Sequence, residues 1–357
     1  MLPLLGKKTK SVLGIDISST AVKLLELTES AGRLKLRNYG VQQLEQGAVV
    51  DGAIVDVESV GDALALLVAR TKPKTKWGAI AVSGGEVITK TIPMEAVLTE
   101  AEIEDQVTFE AGRHIPYPID EVSMDFCVLG PVENNPSHVQ VLLVASRTEN
   151  VQQRIDVLEI AGLKPAFVDV EAYAVERAFY RLIEKNLPNH AKEKPVALFD
   201  VGGMLSTLHV LHDGRVVYSR DQGFGGRQLT EEIERRYGMS FEEAELAKKY
   251  ENNLPDDYAE EVLKPFKEAL AKQLNRSLQY YYSSMQGADI AHIVLAGGAV
   301  GNLDLQAVVE EATGISCSVA NPVADMTLSE RVNMVDATND APALLVACGL
   351  ALRSFDR

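Results

Sequence analysis

Two stretches of the chain carry the same order of apolar and polar positions. From Val12 the sequence runs VLGIDISSTAVKLLELTESAGRLKLRNYG. It reads as an apolar strand, a turn of small residues, a second strand to Leu27, a turn at Ala31-Gly32 and a third strand from Leu34. A helix follows over about 56–70, where Val60, Leu64 and Leu67 recur at the i, i+4, i+7 spacing of one helical face. From Val196 the chain reads VALFDVGGMLSTLHVLHDGRVVYSRDQGFGG. Strand, small-residue turn and strand recur, Asp213-Gly214 marks a tight hairpin, and a third strand covers 215–219. A helix from about Gln228 places Leu229, Ile233 and Tyr237 on one face. Each copy is β-β-β-α, and each first strand ends in an aspartate followed by small residues, Asp16 and Asp200. The matched order predicts a duplicated α/β architecture of two similar lobes.

Between the copies the pattern changes. Residues 99–113 read as a helix stopped by Ile115-Pro116-Tyr117-Pro118. Strands at 122–129 and 139–146 flank a loop, Glu133-Asn134-Asn135-Pro136, and a helix from Glu149 sets Val151, Ile155 and Leu158 on one face. This predicts an inserted α-β-β-α subdomain over 97–163. Lobe 1 then covers 11–96 and 164–195. Lobe 2 covers 196–339, with a helical subdomain at about 228–287 built from a short helix, 241–250, and a long one, 260–285. In the long helix Phe266, Leu270, Leu274, Leu278 and Met285 face inward, and Pro265 starts or kinks it. The apolar run 341–352 predicts a buried helix, so 340–357 is expected to return to lobe 1.

Composition narrows the class. The 357 residues correspond to roughly two to three domains. A hydrophobic fraction of 46% with 24% charged residues suits globular cores. The net charge of −16 argues against nucleic acid as the partner. No apolar run approaches the ~20 residues of a membrane span. Leu2 to Leu5, followed by Lys7, Lys8 and Lys10, is too short and in the wrong order for a signal peptide, and Leu2 excludes myristoylation. Cys127, Cys317 and Cys348 form neither a metal knuckle nor a redox pair. The expectation is a soluble cytoplasmic protein whose membrane association, if any, is through a partner.

Three small-residue turns stand directly after apolar strands: Asp16-Ile17-Ser18-Ser19, Asp200-Val201-Gly202-Gly203, and Ala296-Gly297-Gly298-Ala299, the last opening a helix from about Asn302. Such turns bring backbone N–H groups close to a phosphate, and an aspartate at a strand end holds magnesium, usually through water. Neither G-x-x-x-x-G-K-[ST] nor a strand-to-helix G-x-G-x-x-G occurs. The remaining common solution is two lobes pinching a nucleotide between paired hairpins.

GIDISSTAVK, FDVGGMLST and IVLAGGAVGNLDL resemble, in order, the phosphate-1, phosphate-2 and adenosine motifs of the actin-like ATPase superfamily. FEAGRHIPYPIDEVSMDF is similar to the subdomain of its FtsA/PilM branch, and the resemblance to the PilM family of type IV pilus assembly proteins spans essentially the whole sequence. FtsA proteins carry a C-terminal amphipathic tail, whereas Arg353-Ser354-Phe355-Asp356-Arg357 follows directly on the apolar helix, which favours PilM. The resemblance implies a duplicated actin-like, ribonuclease H-like fold binding ATP and Mg2+.

Position by position, Asp16 and Asp200 would hold the metal shell, and Ser18, Ser19 and Lys23 would meet the phosphates. Gly202 and Gly203 would form the second phosphate loop. Met204 and Leu205 stand there where Gly and Thr are common, so Ser206 is expected to supply the hydroxyl. Gly225-Gly226 precedes a helix and is expected to offer free N–H groups to an anion. Glu245 and Lys248, three apart on one helix face, would flank adenine and ribose, with Gly297 and Gly298 near the adenosine. Glu171 is the candidate catalytic carboxylate, although a glutamate opening a helix also answers the helix dipole.

The unusual second loop points to weak or no ATP hydrolysis. The implied partners are the cytoplasmic N-terminal peptide of PilN, other pilus platform or motor proteins, and a second copy of the chain, in pilus assembly and twitching motility at the inner membrane. The alternatives are an FtsA-like division protein or a small-molecule kinase, which needs a general base over the γ-phosphate. His209 and His212, on opposite strand faces, are not a metal pair. Tyr280, Tyr281 and Tyr282 read as packing, and Lys72, Lys74 and Lys76 beside Trp77 as a solvated patch.

Overall fold

A computed structural model describes residues 11–30, 32–250, 253–285, 288–301 and 303–355, without the side chains of Tyr250 and Met285. Readings that fall on residues 1–10, Ala31, the Met285 side chain, Asn302 and 356–357 lie outside the described residues.

Lobe 1 is built on a meander, β1 (Leu13–Ile17), β2 (Ala21–Ser30) and β3 (Arg33–Gln43). After a small hairpin, β4 (Val49–Val50) and β5 (Ala53–Ile54), helix α1 (Val57–Thr71) leads to β6 (Trp77–Val82). Asp56 caps α1 by accepting from Ser59 N at 3.0 Å, and Val60, Leu64 and Leu67 of its apolar stripe are fully buried. The chain then leaves the lobe. Strand β7 (Val87–Glu95), helix α2 (Glu100–His114) and strands β8 (Val122–Val132) and β9 (Asn135–Arg147) form a separate layer. Their antiparallel sheet has the order β7-β9-β8 and is covered by α2 through Ile92, Met94, Ile103, Val107, Ala111 and Leu143. Thr99 and Glu102 close a capping box at the start of α2. Helix α3 (Thr148–Ile160) and β10 (Lys164–Val170) return to lobe 1, completing a sheet of order β10-β6-β1-β2-β3-β16, where β16 is Thr327–Leu328.

The elements group differently from the expected 97–163 block. β7 joins the inserted sheet because Ile92 and Met94 pair with β9 and face α2. α3 belongs to lobe 1, its buried face being Arg154, Val157 and Leu158, with Val151 and Ile155 only partly covered. The expected loop at 133–136 shrinks to a two-residue turn. Val132 pairs with Asn135, and Asn134 takes a φ of 61°.

Helix α4 (Glu171–Ala178) leads into lobe 2, where β11 (Val196–Val201), β12 (Ser206–His212) and β13 (Arg215–Gln222) repeat the meander. Its turn has Asp213 and Gly214 both at positive φ, 49° and 78°, as a tight right-twisted hairpin requires. Helices α5 (Gly226–Tyr237), α6 (Phe241–Tyr250) and α7 (Lys264–Met285) follow. A π-turn at Ala259–Leu263 precedes α7, so Pro265 sits in its first turn and ends no helix. Strand β14 (His292–Ala296), helix α8 (Gln306–Thr313) and β15 (Cys317–Val319) complete a sheet of order β13-β12-β11-β14-β15. α8 starts later than the expected position near 302, since Asp304 holds a φ of 44°. Setting β16 aside, the two sheets share one topology: meander, parallel strand, parallel strand.

Helix α9 (Met334–Asp340), a tight turn at Ala341–Leu344 and α10 (Leu345–Ala351) bring the chain back to lobe 1. Every residue of α10 is buried. Gly14 and Gly349 let it press backbone to backbone. A Cβ on Gly14 would stand 1.9 Å from the Ala347 carbonyl oxygen, and one on Gly349 would stand 1.8 Å from that of Ala174. By length and composition Met334–Phe355 passes for a membrane span, with a mean hydropathy of 1.2, but 67% of that window is buried in the fold. The core around α4 and α10 extends into lobe 2 through Val196, Leu198 and Leu211.

Candidate functional site

β1 and β11 both end at the cleft between the lobes. The β1–β2 register sets Asp16 directly opposite Lys23, and Lys23 Nζ donates to Asp16 Oδ2 at 2.7 Å with both residues buried. The lysine expected to reach a phosphate is thus tied to the lobe 1 aspartate. Burial opposes its charge, but Asp16, Asp200 and Glu171 together hold Lys23 above its ordinary value.

Burial pushes Asp200 up to about 6, with the Asp16 charge adding to it and Lys23 opposing. Burial likewise pushes Glu171, the first residue of α4, up to about 8, with Asp16, Asp200 and Asp221 adding and Lys23 again opposing. Three carboxyls therefore share one lysine, and Glu171 is protonated at neutral pH, able to donate a hydrogen bond.

Beside them lies a cavity of about 10 Å3, room for one water, lined by Asp16, Ile17, Ala81, Ser83, Arg154, Glu171 and Val346. Arg154 was not among the candidates read from sequence. Its guanidinium donates to Gly52 O at 2.9 Å, Asn150 O at 3.2 Å and Ala81 O at 3.3 Å, and is ion-paired with the Glu86 carboxylate. It is 3% exposed. The available signal was a lone arginine at i, i+3, i+4 spacing from Val157 and Leu158.

The turns expected to meet phosphate are tightly self-bonded. Ser18 donates both N–H and Oγ to Ala21 O at 2.9 Å. Ser19 makes no hydrogen bond among the described residues, so of the two serines it has the donors to spare. Gly202 N donates to Leu205 O at 2.9 Å.

Two expectations are corrected. Ser206 is fully buried and its hydroxyl donates to Phe224 O at 2.6 Å, turned away from the loop it was expected to complete. The N–H groups of Gly225 and Gly226 are not free. Gly225 N donates to the Gln228 side chain at 2.8 Å and Gly226 N to Gly202 O at 2.9 Å, while Arg227 N takes Gly203 O at 2.8 Å. The orphan donors of the α5 first turn are used to clamp the second phosphate loop. Gln228 is therefore the third residue of α5, not its beginning.

The third turn packs on the second. Gly297 has a φ of 99°, and a Cβ there would lie 2.4 Å from Asp200 Oδ1. Gly298 is more open, with its closest neighbour for such an atom, Ala343 Cβ, at 3.9 Å. Ala299 meets the Gly226 position, so the start of α5 stands beside this turn. On α6, Lys248 Nζ bonds Thr230 Oγ1 at 2.7 Å and Gly226 O at 3.3 Å, and both Lys248 and Thr230 bond Glu245.

The structure thus gathers Asp16, Lys23, Asp200, Glu171 and the glycine turns, with Glu245 and Lys248 joined to the α5 edge. Among the described residues no three His, Cys, Asp or Glu side chains converge to ligate an ion directly. His209 is buried on Ser219, held neutral, with burial lowering it to about 4.

Twin lobes with the same strand order, closing on a carboxylate-lysine cluster between two small-residue turns, define a protein of the actin-like fold. The chain belongs to the type IV pilus assembly protein PilM family, whose profile matches residues 14–355. In fold it is similar to a chain of the PilM-PilN type IV pilus biogenesis complex, at 24% identity and a TM-score of 0.79, covering 98% of this chain and 100% of that one. It is also similar to the ethanolamine utilization protein EutJ from Carboxydothermus hydrogenoformans, at 16% identity and a TM-score of 0.56, covering 96% and 89%. The cell division protein FtsA of Bacillus subtilis (strain 168) is 25% identical over 259 residues. That match takes in 66% of this chain and 56% of the FtsA length.

Proposed function

We propose that the chain is an ATP-binding component of the type IV pilus assembly platform, holding Mg-ATP between its lobes and docking a peptide of the membrane protein PilN. The observation that carries the nucleotide reading is the cluster of Asp16, Asp200 and Glu171 around Lys23 where the two phosphate turns meet. Asp16 and Asp200 set two carboxylates against the single charge of Lys23, and that excess of negative charge suits a divalent cation. With no direct ligand triad, Asp16 and Asp200 would hold Mg2+ through its waters. That ion would offset phosphate charge. Ser19 and the Gly202-Gly203 backbone would meet the phosphates, and Glu245, Lys248, Gly297 and Gly298 the nucleoside.

The partner reading rests on family membership and on two edge strands. β8 ends the inserted sheet and β10 ends the lobe 1 sheet. Val128 and Phe167, 48% and 37% exposed, offer apolar contacts along these edges. An extended peptide adds to such an edge by backbone hydrogen bonds. The protein would then act in pilus biogenesis and twitching motility at the inner membrane through that partner, in company with other platform or motor proteins or further copies of itself.

Isothermal titration of the full chain with Mg-ATP, beside Asp16→Asn and Asp200→Asn, tests the site. Both substitutions should weaken binding at least tenfold in magnesium, and much less in EDTA. Unchanged affinity in both variants would remove the nucleotide assignment.

A further inference from the structure

The two lobes touch directly at the phosphate end of the cleft. Thr20, in the first phosphate turn, lies against Gly203 in the second. A Cβ on Gly203 would stand 2.3 Å from Thr20 Cγ2 and 3.0 Å from its Oγ1. Gln46 in lobe 1 meets the Arg227 guanidinium of lobe 2, and with its amide turned so that the oxygen faces the guanidinium that oxygen accepts from both terminal nitrogens, one of them at 3.2 Å.

Within each lobe these two contacts are wired together. Leu44 N donates to Thr20 O at 2.9 Å, tying the Gln46 loop to the first turn. Arg227 N donates to Gly203 O at 2.8 Å, tying the second turn to the base of Arg227. The guanidinium is steadied on its own lobe by Glu231 Oε1, 2.8 Å from Nε, and by the Phe241 ring at 5.6 Å.

We propose that Thr20–Gly203 and Gln46–Arg227 form one latch that closes the cleft and sets the rate at which nucleotide leaves it. The inference rests on the nucleotide reading above and adds its regulation. Both contacts cross from lobe 1 to lobe 2, and bound nucleotide is released when they part. Gly203 matters because a side chain there would strike Thr20, so Thr20 must turn aside or lobe 1 must move away from lobe 2.

The test is stopped-flow displacement of a fluorescent ATP analogue from the full chain, paired with small-angle scattering without nucleotide. Gln46→Ala should speed release roughly threefold. Gln46→Glu should slow it, because a carboxylate makes charge-assisted bonds to the guanidinium. Gly203→Ala should wedge the lobes, speeding release roughly tenfold and enlarging the radius of gyration. Thr20→Ala with Gly203→Ala should bring both readings close to those of Thr20→Ala alone, since the two nearest atoms, Cγ2 and Oγ1, are gone and only Cβ, at 3.2 Å, remains against the new methyl.

Release unchanged in Gln46→Ala and Gly203→Ala overturns the latch. So does a Gly203→Ala defect that Thr20→Ala does not repair, which is damage to the phosphate loop itself. If the analogue does not bind the wild-type chain, the nucleotide reading fails, and the scattering series alone decides whether Gly203 governs lobe closure.

Discussion

Lys23 and Asp16 face each other across the first hairpin, Nζ to Oδ2 at 2.7 Å, and each is more than nine-tenths buried. The pair is part of the fold as well as of the cleft. Removing the carboxylate leaves a lysine charge in low dielectric with Asp200 as the one ionised carboxylate of the cluster left to balance it.

Asp16→Ala should therefore lower stability by about 3 kcal/mol, the scale set by breaking a buried ion pair from one side. Asp16→Ala with Lys23→Met should recover most of that loss. Denaturant unfolding of the three variants measures it. Equal stability of Asp16→Ala and wild type would show the pair to be energetically idle.

Arg154 and Glu86 form the second buried pair. Ser146 Oγ donates to Glu86 O at 2.8 Å and Asn150 Nδ2 to Ser146 Oγ at 3.4 Å, so both crossings between lobe 1 and the inserted sheet converge on it. Arg154→Ala should cost about 3–5 kcal/mol and raise hydrogen exchange in β7 and β9. Exchange confined to α3 would deny the pair its joining role.

Protonation gives a pH signature. Glu171 titrates at about 8 in the fold against 4.5 as an ordinary carboxyl. Between those values the folded chain keeps a proton that the unfolded chain has lost, so stability falls as pH rises through the window, by at most about 1.4 kcal/mol per pH unit. His209, held at about 4 against 6.5, works the other way: its contribution is lost as pH falls below 6.5. From pH 6.5 to 8 the glutamate dominates. The melting temperature should drop across this range in the wild type and stay flatter in Glu171→Gln. Parallel curves would place the proton elsewhere.

Turnover should be slow. Ser206 is committed to Phe224, the α5 amides are committed to the second loop, and Glu171 carries a proton at neutral pH. A phosphate-release assay is expected to read far below the ~10 per second of a typical enzyme. A rate at that level would favour the kinase reading.

A synthetic peptide of the cytoplasmic N-terminal segment of PilN is expected to bind the full chain. Val128→Glu with Phe167→Glu should weaken it at least tenfold, because both replaced side chains are exposed apolar groups beside the two edge strands. Equal binding would move the docking site off those edges.

Local periodicity made most elements legible. Asp56 and the 60, 64, 67 stripe mark α1, and Asp213-Gly214 marks its hairpin, because caps, stripes and tight turns are encoded by neighbouring residues. What escaped was set by distant partners. Nothing near Ile92 says that β7 pairs with β9 instead of the lobe sheet, and nothing near Gly226 says that its amide is taken by Gly202. Nothing near Arg154 in sequence announces Glu86, the partner sixty-eight positions away. Ser206 carries a hydroxyl of the right kind, but the β11–β12 register turns it toward Phe224.

The seal between α10 and β1 has a consequence for how the protein is made. Val12 N donates to Ser354 Oγ at 2.9 Å, across 342 positions of sequence. At ribosomal speeds of about 5–20 residues per second, the first strand waits roughly 20–70 seconds for the helix that covers it. Through that interval lobe 1 keeps an apolar face open on the nascent chain. The inserted sheet, whose contacts are nearer in sequence, can settle earlier. The cleft, which needs lobe 1 sealed, cannot take its final shape before the α10 residues and Ser354 have been made.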